Sequence, residues 1–96
     1  EEVNRLNNMA VQYAHQGEYD KAITSLKKAS SLSPEDADIY YNIACMYSRM
    51  NMVEESVAWL ERAVSKGFNN WKLIKKDPDL DNIRVTGFYK KLVRSH

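Results

Sequence analysis

Cysteine is nearly missing from this chain, and the gap removes whole classes of function. With Cys45 alone among 96 residues, no intrachain disulfide can form and no thiolate metal cluster can assemble. Three glycines and two prolines leave no glycine-rich phosphate loop and no low-complexity linker. Two histidines, His15 and His96, stand far apart, so no sequence-local base serves Cys45 as a nucleophile and catalysis is not expected. No run of 18 apolar residues occurs, which excludes a spanning helix. No basic-then-apolar leader is legible, and the compartment is left open with a lean to the cytoplasm. The first residue is Glu1 rather than Met, which reads as a segment of something longer.

What the chain does have is a period. Sliding the sequence by 34 residues sets Leu6 over Tyr40, Met9 over Ile43, Ala10 over Ala44, Tyr13 over Tyr47, Leu26 over Leu60 and Ala29 over Ala63. A repeat of that length marks stacked supersecondary units, each unable to bury its apolar face alone. Within each unit the apolar residues recur at helical spacing. The expected helices run from about Val3 to His15, Asp20 to Leu32, the Ser33–Asp36 restart to Met50, and Val53 to Ser65. Gly17, Asn51 and Gly67 follow three of them, at places suited to the left-handed conformation that ends a helix. Ser33 and Pro34 look like the N-cap and first position of the third helix. Ala10, Ala22, Ala29, Ala44, Ser56 and Ala63 are small enough to let backbones approach, with Tyr13 and Tyr47 filling the grooves beside them.

This order of large, small and aromatic residues resembles the tetratricopeptide repeat, a helix-turn-helix of 34 residues. The resemblance covers Val3 to Asn70 and implies an all-α, right-handed superhelix of two antiparallel helix pairs, residues 3–36 and 37–70. The second copy departs from the pattern at Ser56, where the first has Ala22, and at Phe68, where the first has Pro34. Residues 71–96 are not a third copy, because the same shift puts Pro78 under Ala44 and Asp81 under Tyr47. A short helix is expected around Trp71, Leu73 and Ile74, broken at Asp77 before Pro78. A last helix carries Phe88, Tyr89, Leu92 and Val93, with Thr86 as its N-cap. The string from Trp71 to Arg84 is similar to the closing segment of many bacterial members of the family, implying a cap over the apolar end of the stack.

The resemblance also implies where a ligand would lie. The first helix of each repeat lines the concave face, so the implied peptide-binding residues are Asn4, Asn7, Asn8, Val11 and His15, then Asp38, Tyr41, Asn42, Cys45 and Arg49. The shift adds Lys72 and Lys76. Asn42, Lys72 and Lys76 are similar in position to residues of the carboxylate-clamp members, which grip a terminal carboxylate. Asn7 and Val11 replace the clamp's first-repeat Lys and Asn, so half of it is missing.

Charge is unevenly spread: residues through Ser65 balance at −4, and those from Lys66 onward at +5. A basic tail admits an acidic partner, although a lysine run on a helical domain is ordinarily a solvated face. Lys75, Lys76, Lys90 and Lys91 with Trp71 and Phe88 match no nucleic-acid motif, so nucleic acid is not an expected partner. Asp77, Asp79 and Asp81 alternate like the start of a calcium loop, but Asn82 stands where its glycine would be and Phe88 where its bidentate Glu would be. Capping by Asp77 and Asp81, and pairing of the acids with Arg84, account for them instead. The expectation is a scaffold without metal, cofactor or catalysis that binds a peptide or extended segment of another protein. The alternative is self-association through the ends of the stack.

Overall fold

The computed structural model describes residues 1–96. Four helices of similar length come first: α1 (Glu2–His15), α2 (Tyr19–Leu32), α3 (Ala37–Arg49) and α4 (Val53–Ser65). The pairs α1–α2 and α3–α4 pack within themselves, and α2 packs on α3 to join them. The turns after α1, α3 and α4 place Gly17 at φ 78°, Asn51 at φ 58° and Gly67 at φ 104°. These are left-handed values, which an L side chain other than Asn resists.

The small residues sit where helices meet. Ala22, Ala29, Ala44, Ala63 and Ser56 have no exposed surface and Ala10 almost none. Ser56 satisfies its buried hydroxyl by donating to the Ala44 carbonyl at 2.7 Å, so the one polar member of the set ties α4 to α3 rather than weakening the contact. Two apolar clusters result. One gathers Leu6, Ile23, Leu26, Ile39 and Ile43 between α1, α2 and α3. The other gathers Tyr41, Leu60, Phe68, Ile74, Leu80, Ile83 and Tyr89 beneath the end of the chain. Met46 and Trp59, both half-buried, touch both clusters.

The closing segment is α5 (Trp71–Lys76), a 3-10 helix (Pro78–Ile83) and α6 (Gly87–Ser95). Asp77 ends α5 and accepts from the Asp79 amide at 3.0 Å, capping the 3-10 helix that Pro78 begins. Asp81 instead pairs with Arg84 at 2.8 Å. Thr86 caps α6 by accepting from the Tyr89 amide.

Two local expectations change. The cap of α3 is Asp36, whose carboxylate accepts from the Asp38 amide at 3.1 Å; Ser33 instead ends α2. The chain needs the turn through Pro34 and Glu35 before it can reverse. Tyr41, expected among the peptide-binding residues, is the buried tyrosine of α3, while Tyr40, which the 34-residue shift sets under the buried Leu6, is only half-buried. Tyr40 lies against Trp59 with ring centroids 5.8 Å apart and donates to the Pro34 carbonyl.

Candidate functional site

Two open hollows lie along the face made by α1, α3 and the closing segment. The first, about 410 Å³, is lined from α1 by Asn7, Ala10, Val11, Ala14 and His15, from α2 by Tyr19 and Leu26, and from α3 by Asn42, Met46 and Arg49, with Asp79 at its edge. The second, about 490 Å³, lies between α3 and the chain beyond α4; Asp38, Tyr41, Phe68, Leu73, Asp77 and Asp79 are among its lining residues. Asn42, Met46 and Asp79 belong to both. The hollows are therefore two lengths of one furrow.

Of the residues expected on this face, Asn7, Val11, His15, Asp38, Tyr41, Asn42, Cys45 and Arg49 line one hollow or both. Val11 is 54% exposed, a solvent-facing aliphatic patch beside the amides of Asn7 and Asn42. The Asn7 Oδ1 atom is buried with no hydrogen-bond partner in the protein. Asn4 and Asn8 are exposed on α1 and line neither hollow. Lys72 and Lys76 are exposed on α5 and also lie outside both. The two lysines expected to make one end of the furrow basic thus lie beside the hollows rather than in them.

Acids take their place. Tyr41 and Cys45 turn into the protein, each only 3% exposed, rather than presenting themselves at the surface. The Tyr41 hydroxyl donates to Asp77 Oδ2 at 2.6 Å, and the Cys45 sulfur lies 3.8 Å from the same oxygen. Burial, with Asp77 and other neighbours adding to it, pushes both the Tyr41 hydroxyl and the Cys45 thiol well above their ordinary range. Asp79 is also raised, first by burial and then by Asp77, with Arg49 opposing. Arg49 donates to the Tyr19 hydroxyl from Nε and Nη2 at 3.2 and 3.1 Å, and its Nη1 lies 3.5 Å from Asp79 Oδ1.

Ligand atoms of Cys45, Asp77 and Asp79 fall within 4.8 Å of one another. Asp77 ties the closing segment to α3, accepting from the Tyr41 hydroxyl with the Cys45 sulfur beside the same oxygen. Tyr19, Met46, Asp77 and Asp79 were not among the expected site residues. Asp77 carried only a capping signal and Asp79 only its place in the alternation from Asp77 to Asp81, and nothing local in the sequence says that the closing segment folds back onto α3.

A TPR-repeat family model matches residues 12–51, and a tetratricopeptide-repeat model matches residues 37–66. The chain belongs to the tetratricopeptide-repeat family. Its helices without strands form the all-α repeat solenoid of that family. Tetratricopeptide repeats are in general protein–protein interaction modules and typically non-enzymatic scaffolds. A chloroplastic protein of Arabidopsis thaliana is similar, 32% identical over 87 residues, which is 88% of this chain and 26% of that protein. The chain thus spans about a quarter of the length of this relative. No solved structure matches. No helix of this tetratricopeptide-repeat chain is long and apolar enough to cross a membrane.

Proposed function

We propose that the furrow across α1 and α3 receives an extended segment of a partner protein, and that the chain acts as a scaffold without chemistry of its own. The observation that carries this reading is the continuity of the two hollows through Asn42, Met46 and Asp79. An extended segment presents backbone N–H and C=O groups along its length, and a furrow serves it with amides at intervals and apolar patches between them. Asn7, Asn42, Asn69 and Asn70 supply the amides, and Val11, Ala14 and Leu73 supply the patches. A furrow this short belongs with interfaces under about 1,200 Å², the transient class. The similar Arabidopsis protein is described as chloroplastic, and a chloroplast is the compartment in which we would look first for the partner.

The test is selection of a linear-peptide phage library on the protein, followed by amide NMR titration with an enriched peptide. Shifts gathered at Asn7, Val11, Asn42 and Met46 are the expected result. Shifts confined to α6, or no binder together with line broadening that grows with protein concentration, would overturn it; the broadening would favour self-association.

A further inference from the structure

We infer that the segment held in the furrow is basic, and that it places a Lys or Arg side chain in the hollow between α3 and the closing segment, facing Asp38 and Asp79. This rests on the furrow being the binding face.

Three carboxylates, Asp38, Asp77 and Asp79, line that hollow, and no Lys or Arg does. They are not equivalent. Asp77 is engaged on both oxygens, by the Tyr41 hydroxyl and by the Asp79 amide. Asp38 is exposed and no side-chain ion pair holds it. Asp79 has one ion-pair partner, Arg49, at 3.5 Å, and that guanidinium directs two of its nitrogens to Tyr19 instead. Burial raises Asp79, which is the response of a carboxylate with too little compensating charge around it.

A cation entering the hollow relieves this. Met46, Phe68 and Leu73 also line it, apolar surface against which the methylene stem of Lys or Arg packs while its head reaches the acids. An acidic segment would meet like charge at the same place, a juxtaposition that suppresses wrong partners. Of the basic tail that made an acidic partner an expectation, no Lys or Arg lines the hollow.

The probes are the synthetic peptides enriched from the linear library, each paired with a copy in which its Lys or Arg is replaced by Gln. Both are titrated into the unmodified protein, Asp79→Asn and Asp38→Asn. The expected result is a Lys or Arg at a recurrent position, with affinity about fivefold weaker or more on its replacement. Asp79→Asn should weaken the basic peptide by a similar factor and leave the Gln copy unchanged. Asp38→Asn, in an exposed first turn, serves where Asp79→Asn disturbs the closing segment. Peptides without a cation that still shift the Val11 and Asn42 amides would overturn the inference and leave the furrow reading intact. So would basic peptides whose affinity ignores both substitutions. Shifts confined to α6, or no enriched peptide at all, would overturn both.

Discussion

Around Leu6, Ile23 and Leu26 the core is apolar, and side-chain hydrogen-bond donors in α1 and α2 reach only partners within four residues of themselves, the one long-range bond there coming from Arg49 of α3 to Tyr19. Around Ile74, Leu80 and Ile83 an equally apolar core is bracketed by side chains that cross the fold to backbone carbonyls. Asn82 donates to the Ser48 carbonyl at 2.7 Å, Tyr89 to that of Ile74 at 3.0 Å, and Arg84 to those of Lys75 and Asp77 at 2.9 and 2.7 Å. The Ile74 and Lys75 carbonyls lie in the last turn of α5, where a helix leaves carbonyls without partners; those of Ser48 and Asp77 accept from the Asn51 and Leu80 amides as well. The regular pair shields its helix ends by continuing into a tight turn. The broken segment must import donors, because a six-residue helix and a 3-10 helix satisfy few of their own groups.

The largest test of this contrast is Leu80→Ala. Leu80 has no exposed surface, and deleting it should cost about 2–5 kcal/mol by urea denaturation. Native-state hydrogen exchange should show α5 and α6 losing protection while α1 and α2 keep theirs. Uniform loss across all six helices would break the comparison, since the two ends would then unfold as one.

A smaller effect separates shape from charge. Arg84→Lys keeps the cation but loses the planar fork that spans the Lys75 and Asp77 carbonyls, and should destabilise by about 1.5–3 kcal/mol. A melt indistinguishable from the parent protein would mean that the positive charge near the end of α5 suffices.

The smallest effect is read by pH. Burial holds the Cys45 thiol and the Tyr41 hydroxyl protonated in the folded chain, whereas an unhindered thiol titrates near 9.0 and an unhindered phenol near 10.0. Their contribution is thus complete below pH 9.0 and drains away as the unfolded chain begins to lose protons. Stability should fall by about 1.4 kcal/mol per pH unit per group above those points. Cys45→Ala should flatten the first part of that slope. An alkaline slope unchanged by Cys45→Ala and Tyr41→Phe would show that other groups set it.

The same contrast explains what the sequence could and could not disclose. α1 to α4 were legible because Leu6, Met9, Ala10 and Tyr13 repeat themselves 34 residues later, and periodicity is what burial on one helix face leaves behind. The choice of Tyr41 over Tyr40 was not, since adjacent tyrosines differ by one position of a helix and the long-range bond to Asp77 decides between them. On the candidate face, Asn7, Val11, Asn42 and Arg49 could be located by register together with the resemblance, which implies that the first helix of each repeat lines that face. Lys72 and Lys76 could not, because the helix that carries them is only six residues long and does not run on as a third repeat. Asp79 reaches the furrow through the irregular stretch that follows it, and no local pattern announces it.

Met46 and Trp59 touch both apolar clusters, and this gives them a role neither cluster has by itself. In a linear array each unit carries its own folding free energy and a coupling to its neighbour, much as spins do in a one-dimensional magnet. Here the coupling passes in part through a thioether that deforms readily and an indole under the Lys27 and Arg62 cations, 5.4 and 4.6 Å from its centre. Such a joint lets the folding of one unit bear on the next, through side chains that belong to neither core alone.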